Sequence, residues 1–112
     1  MHLAHVAEKR SHPRIQVRWP VVLMTTEGAL DGVIENISAG GAYINCGRLL
    51  FRNDLLILGI LGLEREPLWI GAEVVRADIT LSADSESVPV GMGVRFTFIS
   101  EEDVQFLTEM SS

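Results

Sequence analysis

Apolar and polar residues alternate in the first half of the chain with a period of two. Ile15, Val17, Trp19, Val21 and Leu23 fall on alternate positions, as in a strand with one buried face. Further apolar runs cover Leu30–Ile37, Ala42–Ile44, Leu55–Leu63, Leu68–Ala77 and Val90–Ile99. Spacings of about 8–12 residues between such runs are typical of all-β domains. The pattern predicts a mostly β fold, a compact antiparallel barrel or sandwich of about six strands.

Local features refine these strands. Pro20 has no N–H to donate, which predicts that the first strand is an edge strand or is bulged or bent there. Leu81–Val88 (LSADSESV) is mostly polar and predicts a loop before the last strand. The apolar side chains predicted to share one face of that last strand are Val94, Phe96 and Phe98. The two tryptophans lie in apolar strands, where core positions are expected, and they are Trp19 and Trp69.

The last part of the chain changes its period. Ser100 precedes the acidic run Glu101–Asp103, and a hydroxyl cap followed by acids is typical of a helix start. The apolar residues that then recur at helical spacing are Val104, Leu107 and Met110, with Phe106 beside them. The sequence predicts a short amphipathic α-helix that caps the barrel or meets a partner.

Composition narrows the class of protein. Hydrophobic residues make up 47% of the 112 residues, which suits one globular domain. No apolar run reaches the roughly 18 residues of a membrane span, and MHLAHVAEKR lacks the apolar stretch of a signal peptide. A single cysteine, Cys46, agrees with a reducing compartment. These features predict a soluble cytoplasmic domain with no membrane insertion.

Charge is distributed unevenly along the chain. The net charge is −6, yet the N-terminal 18 residues hold four basic side chains against one acid. The basic ones are Lys9, Arg10, Arg14 and Arg18. We therefore divide the chain into a flexible basic arm, residues 1–14, and a barrel domain with a C-terminal helix, residues 15–112. A basic arm on an acidic body favours a compact anionic ligand over a nucleic acid, although a solvated basic tail remains an alternative.

Catalysis would need a nucleophile beside a base, or paired carboxylates in a pocket. All three histidines lie in the arm, and they are His2, His5 and His12. Their spacing is a weak match to a metal site, and the acids are scattered. The sequence predicts no catalytic residue, no metal and no cofactor.

The first candidate binding cluster is the pair Arg10 and Arg14, just before the first strand. Pro13 argues against a helix, so the pair lies on an irregular segment. Guanidinium groups form bidentate contacts with phosphate oxygens and with guanine O6 and N7. Two of them on one segment suit a guanine nucleotide.

The second cluster follows the next strand, in the segment Asn36-Ile37-Ser38-Ala39-Gly40-Gly41. Asn36 and Ser38 flank Ile37, so we expect both polar side chains on one face and Ile37 on the other. An amide and a hydroxyl suit hydrogen bonds to a base edge or a ribose. Gly40 and Gly41 allow a positive φ and the close approach of a ligand. An Asx or Ser turn that ends the strand is the alternative interpretation.

The two clusters together resemble a known family. RxxxR followed by [D/N]xSxxG is the motif pair of PilZ domains, here Arg10, Arg14, Asn36, Ser38 and Gly41. The segments EKRSHPRIQVRWPV and GMGVRF also resemble the first and a late strand of that family. The resemblance implies an antiparallel barrel of six to seven strands with a short C-terminal helix, and a receptor for cyclic di-GMP.

Roles of individual residues are implied by the same resemblance. Arg10 and Arg14 would contact the phosphates and guanines, Asn36 and Ser38 would help to hold a guanine, and Gly41 would keep the turn open. The family position usually described as Asp is Asn36 here, and an amide cannot act as a carboxylate partner for guanine N1–H and N2–H. The residues expected as secondary contacts are Arg18, Gly40 and Arg95, and Arg76 is a further arginine that a barrel could bring near the ligand.

The predicted mechanism is closure of the arm over the ligand, with a surface then exposed to or hidden from a protein partner that the sequence does not identify. Ligand-independent adaptors of pilus or motility machinery are the alternative within the same family. An oligonucleotide-binding barrel is a third option, which the acidic body and an aromatic content of 6% disfavour.

Overall fold

The computed structural model describes residues 13–48, 50–81 and 87–110, which form a closed antiparallel barrel and one helix. The strands are β1 (Ile15–Thr25), β2 (Gly28–Ile37), β3 (Gly41–Asn45), β4 (Leu55–Ile60), β5 (Leu68–Leu81) and β6 (Ser87–Phe98), and the helix is α1 (Glu101–Met110). Around the barrel the order is β1-β2-β3-β6-β5-β4. The fold class is confirmed, with β4 ending three residues earlier than predicted.

The interior of the barrel is filled by aliphatic side chains from all six strands. The largest of those that are fully buried in the strands are Leu23, Ile34, Ile37, Ile44, Leu58, Ile60, Leu68, Ile70 and Val74. These side chains alternate with outward-facing ones, as the period of two predicts. Because the core occupies the interior, a ligand can bind only on the outer wall or at the ends.

The helix packs against this core through Leu107, which is 1% exposed. The hydroxyl of Ser100 accepts a hydrogen bond from the N–H of Asp103 at 3.1 Å, so the predicted cap is present. Arg65 lies 3.4 Å from Asp103 and places its guanidinium 4.5 Å from the centroid of the Phe106 ring. These contacts connect the helix to the β4–β5 loop. Met110, by contrast, is exposed.

Pro20 lies just after a bulge of β1, in a part of the strand that pairs regularly with β2, so the prediction of an edge strand or of a bulge at Pro20 itself is wrong. The pairing of β1 with β2 shifts between Gln16 and Trp19, and Pro20 lies opposite Val33. On its other side β1 pairs with β4 only at residues 22–24. The missing N–H of Pro20 therefore removes no hydrogen bond from the β1–β4 ladder.

Two predictions of buried aromatic side chains are wrong. Phe98 is 72% exposed because a register shift places Phe98 opposite Gly71 and Phe96 opposite Ala72. A bulge of this kind moves the next side chain to the other face.

Trp69 is 52% exposed and lies on the outer wall across Gly59, where an added Cβ would collide with its ring. Trp19 does pack against the core.

The loop prediction for Leu81–Val88 is wrong at its two ends, and its residues 82–86 lie outside the described part of the chain. β5 and β6 continue as a hairpin as far as the pairs Thr80 with Val88 and Leu81 with Ser87. Backbone hydrogen bonding extends the ladder beyond the apolar pattern, because main-chain groups pair regardless of the side chains they carry.

The outer wall around β4 is unusually apolar. Met24 lies opposite Ile57, Ile57 opposite Gly71, and Gly71 opposite Phe98. Met24, Ile57 and Phe98 are all exposed, as is Leu55. We call this surface, Met24, Leu55, Ile57, Trp69 and Phe98, the apolar wall. Within the described part of the chain, no helix has the length and apolarity to cross a bilayer.

Candidate functional site

The candidate site lies on the outer wall where β1 begins and β2 ends. Asn36 is on this wall because the pairing of β2 with β3 shifts between Ile34 and Asn36. Ile34 is fully buried, and regular alternation would turn Asn36 inward as well. The bulge reverses the phase, so Asn36 faces outward and Ile37 is buried instead.

Arg14 and Asn36 are in direct contact. Nη1 of Arg14 donates a hydrogen bond to Oδ1 of Asn36 at 2.5 Å. Gln16 lies opposite Asn36 in the β1–β2 ladder, so Arg14 is just beyond the point where the two strands stop pairing. The structure thus brings together an arginine and an amide that are 22 residues apart in the sequence.

Ser38 departs from the sequence-based expectation. It is only 4% exposed, and its hydroxyl oxygen accepts a hydrogen bond from the N–H of Gly40 at 3.1 Å. The N–H of Ser38 donates to the carbonyl of Gly41 at 2.9 Å. The serine turn, which was the alternative interpretation of this segment, is therefore present. A serine hydroxyl has one donor and two acceptor positions, so this turn does not exhaust its capacity.

The glycines of the turn serve contacts with β6 rather than an unusual backbone conformation. The described glycines with positive φ are Gly28 and Gly47, so the expectation of a positive φ at Gly41 is wrong. A Cβ on Gly41 would lie well under 3.0 Å from the carbonyl oxygen of Val94. The carbonyl of Gly40 accepts a hydrogen bond from the N–H of Phe96 at 2.9 Å. Close packing on β6 by itself requires glycine at position 41.

Two of the expected secondary contacts lie on the exposed outer wall. Arg95 is opposite Gly41 in the β3–β6 ladder and forms an ion pair with Glu73 of β5. Arg18 belongs to the bulged part of β1 and is exposed. Arg95 is thus adjacent to the turn, but Glu73 neutralises much of its charge.

A second polar cluster, which sequence analysis missed as a unit, lies further along the same wall. The hydroxyl of Tyr43 donates a hydrogen bond to Oδ2 of Asp78 at 2.7 Å. Nε of Arg76 is 3.2 Å from Oδ1 of Asp78, and the Arg76 guanidinium lies 5.6 Å from the centroid of the Tyr43 ring. The hydrogen bond to Asp78, followed by burial and the charge of Asp78, raises the pKa of Tyr43, while Arg76 acts in the opposite direction.

The regular alternation of inward and outward side chains along β5 would not predict this cluster. Val74 is buried, so a regular strand would turn Arg76 inward two residues later. The pairing of β5 with β6 shifts between Val74 and Arg76, and this bulge places Arg76 on the outer wall. An arginine at an apparently buried position was the available sequence signal, because a lone buried guanidinium is rare.

Arg10 and the three histidines lie outside the described residues. A cleft of about 390 Å³ lies at the opposite end of the barrel, between the β1–β2 turn and the β3–β4 loop. It contains none of the motif residues. We therefore assign the candidate site to the outer wall at Arg14 and Asn36.

The arrangement combines a guanidinium, an amide, a serine-containing turn and a close-packed glycine on the outside of a small six-stranded barrel. Such groups can bind phosphate and base edges without any covalent chemistry. The fold and this wall define a class of small β-barrel binding domain. A family model for the PilZ domain matches residues 8–111, so the chain belongs to the PilZ domain family, whose members are binding and effector domains.

Solved structures agree with this family. Bacillus subtilis MotI/DgrA, an inhibitor of motility, has a TM-score of 0.72 and 26% identity, covering 93% of this chain and 50% of that chain. The PilZ domain of Escherichia coli YcgR, solved with c-di-GMP, has a TM-score of 0.71 and 12% identity, covering 93% and 89%. The K. pneumonia MrkH–c-di-GMP complex has a TM-score of 0.66 and 20% identity, covering 94% and 52%.

The chain therefore spans about half the length of the MotI and MrkH chains and most of the YcgR domain. No curated protein sequence matches the chain.

Proposed function

We propose that this domain is a cytoplasmic receptor for cyclic di-GMP, which it binds on the outer wall through Arg10, Arg14, Asn36, Ser38 and Gly41. The observation that carries the proposal is the hydrogen bond from Arg14 to Asn36. It joins the two sequence motifs at one place on the surface. Similar folds solved with c-di-GMP, those of YcgR and MrkH, support the choice of ligand.

The Arg14–Asn36 contact suggests how binding begins. Both side chains are accessible, and an exposed pair of this kind contributes little to stability. A ligand phosphate or guanine offers the Arg14 guanidinium a charged or bidentate acceptor in place of a neutral amide. The exchange releases the Asn36 amide for the base of the ligand.

In this proposal, the N-terminal arm changes its position when the ligand binds. Residues 1–14 precede β1 directly, so ligand contacts to Arg10 and Arg14 bring the arm onto the wall beside the turn. The change in the position of the arm alters the surface that a protein partner meets. Arg18, Gly40 and Arg95 border this region and form the secondary contacts of the proposal.

The test is calorimetric titration of cyclic di-GMP into the native chain and into Arg14→Ala. We expect saturable binding that the substitution weakens by about 1–3 kcal/mol, because a bidentate guanidinium contact is worth roughly that amount. Arg52→Ala is the matched control, since Arg52 is exposed in the β3–β4 loop. Equal affinity of the native chain and Arg14→Ala, or no binding to either, would contradict the proposal.

The apolar wall favours a second candidate, a protein-interaction adaptor that needs no nucleotide. Exposed apolar side chains gathered on one sheet face are uncommon on proteins that act alone, and Leu55, Ile57 and Phe98 are each more than half exposed. The same titration separates the candidates, because an adaptor of this kind gives no heat of binding with cyclic di-GMP.

A further inference from the structure

Four strands place one residue each in a straight row across the outer wall. Asn36 lies opposite Tyr43 in the β2–β3 ladder, Tyr43 opposite Gly93 in the β3–β6 ladder, and Gly93 opposite Arg76 in the β5–β6 ladder. We call Asn36, Tyr43, Gly93 and Arg76 the outer row. Three interstrand steps of about 4.8 Å separate its ends, so Arg76 lies about 14 Å from Asn36 along the wall.

At Gly93, in the middle of the outer row, no side chain covers the backbone. Gly93 carries no side chain, and the nearest atoms to a Cβ built there are Cγ2 of Val75 at 3.9 Å and Cβ of Arg76 at 4.0 Å. The neighbouring Gly91 is different, since a Cβ there would meet the Tyr43 ring at 2.6 Å. The ring of Tyr43 therefore lies across Gly91, and the space over Gly93 separates it from the base of Arg76.

Arg76 is oriented by its neighbours. Asp78 holds Nε of Arg76 at 3.2 Å, and the Tyr43 ring lies 5.6 Å from the guanidinium. The Arg76 side chain is nevertheless 65% exposed. A guanidinium has five N–H donors in a rigid plane, so the contact with Asp78 fixes the plane and leaves further donors for a ligand. The cost of ordering a long side chain on binding is reduced accordingly.

Asp78 also places a carboxylate on the outer wall. The motif residue Asn36, at a position usually described as Asp, offers only an amide. The two oxygens of Asp78 accept from Tyr43 and pair with Arg76, yet each carboxylate oxygen can accept a second hydrogen bond, and the side chain is 36% exposed. Guanine presents N7 and O6 as acceptors, which a guanidinium contacts in a bidentate manner. Its N1–H and N2–H are donors, which a carboxylate accepts.

We propose that Arg76, oriented by Tyr43 and Asp78, is a second guanine-recognition residue, which contacts a guanine other than the one held at Arg14 and Asn36. This inference rests on the proposed function and deepens it. The guanine belongs either to the second half of the same cyclic dinucleotide or to a second ligand molecule beside the first. The β5 bulge supports a role in binding, because bulges commonly re-aim a side chain at a functional site.

The test uses two ligands that share the cyclic diester but differ in base content, cyclic di-GMP and the mixed cyclic GMP–AMP. Each is titrated calorimetrically into the native chain, Arg76→Ala and Arg76→Lys. We expect Arg76→Ala to bind cyclic di-GMP about tenfold more weakly. If one ligand molecule is bound, the variant should bind the mixed ligand almost as the native chain does, because the single guanine occupies the Arg14 and Asn36 position; if two are bound, both ligands should lose the second molecule. Arg76→Lys should resemble Arg76→Ala, because an ammonium keeps the charge but loses the planar bidentate donors.

The number of ligands bound distinguishes the two sources of the guanine. A loss of affinity at unchanged stoichiometry assigns it to the same molecule, whereas a fall in stoichiometry assigns it to a second molecule. Tyr43→Phe keeps the ring and removes the hydrogen bond to Asp78, so it should produce a smaller loss with cyclic di-GMP and, where one ligand molecule is bound, none with the mixed ligand. This dependence on the ligand would not follow from a purely structural role.

Three outcomes would overturn the inference. They are unchanged cyclic di-GMP binding in Arg76→Ala, equal weakening of both ligands at unchanged stoichiometry, and full retention of affinity in Arg76→Lys. If Arg14→Ala binds cyclic di-GMP more weakly than the native chain does, while Arg76→Ala binds it normally, only the inference about Arg76 fails. Absence of binding to the native chain would instead refute the proposed function.

Discussion

At the scale of single residues, Asn36 links the two motifs of the candidate site. Its carbonyl oxygen accepts a hydrogen bond from Arg14, and its amide carries no charge. A hydrogen bond to a charged group contributes roughly 1.5–3 kcal/mol, against 0.5–1.5 kcal/mol for a neutral one. Under the proposed function, the chemistry at this position would set how strongly the site holds guanine N1–H and N2–H.

We expect Asn36→Asp to tighten cyclic di-GMP binding by about tenfold, which corresponds to the gain of roughly 1.4 kcal/mol from a charged acceptor. Calorimetric titration measures the effect. Asn53→Asp is the control, since it adds the same charge in the β3–β4 loop, where Asn53 has a φ of 79°. Weaker binding in Asn36→Asp would show that the ion pair between Arg14 and the introduced carboxylate competes with the ligand.

Tyr43 is the one tyrosine of the chain, which makes its ionisation easy to isolate. The hydrogen bond to Asp78, followed by burial and the charge of Asp78, raises the pKa of Tyr43 above its ordinary value of 10.0. The folded state therefore holds the phenolic proton more tightly than the unfolded chain. This contribution to stability is complete below about pH 10 and is lost as the pH rises further.

The free energy of unfolding of the native chain should accordingly fall above about pH 10 more steeply than that of Tyr43→Phe. Near neutral pH the variant should be less stable by about 0.5–1.5 kcal/mol, the value of one hydrogen bond. Urea unfolding across this pH range measures both effects. Parallel pH profiles for the two proteins would contradict the role given to the Tyr43–Asp78 hydrogen bond.

At the scale of elements, bulges decide which side chains reach the outer wall. One register shift in β2 turns Asn36 outward, one in β5 turns Arg76 outward, and a third exposes Phe98. The turn between β2 and β3 depends equally on the packing of Gly41 against β6. Backbone geometry, more than side-chain packing, thus builds the candidate site.

Gly41→Ala should destabilise the domain by about 1–3 kcal/mol, because its Cβ would overlap the carbonyl oxygen of Val94 and the backbone must shift to relieve the overlap. Gly62→Ala is the matched control, since a Cβ there meets nothing within 4 Å. Chemical denaturation of the two variants measures the difference. Similar stabilities would mean that β3 and β6 separate easily at this point.

At the scale of the whole molecule, the inside and the outside of the closed barrel have different roles. The interior is filled by the aliphatic core, so it stabilises the fold and leaves no room for a nucleotide. Ligand binding on the outer wall, as proposed, would add contacts to the folded state that the unfolded chain lacks. A ligand of this kind stabilises the entire domain in proportion to its concentration and affinity.

Cyclic di-GMP at about one hundred times its dissociation constant should therefore add roughly 2.7 kcal/mol to the free energy of unfolding. For a domain of 112 residues this corresponds to a rise in melting temperature on the order of 10 °C. A thermal-shift assay measures the rise. Arg14→Ala should show a much smaller one at the same ligand concentration, and an unchanged melting temperature of the native chain would contradict ligand binding.

The strands, the helix and the two motif clusters can be predicted from the amino-acid sequence, because period, capping and residue type are local properties. The outward orientation of Arg76 and Phe98 follows instead from strand pairing, since a register shift depends on the neighbouring strand. For the same reason the structure alone brought together Tyr43, Arg76 and Asp78. Their contacts join β3 to β5 across β6, and no local pattern in the sequence encodes that neighbourhood.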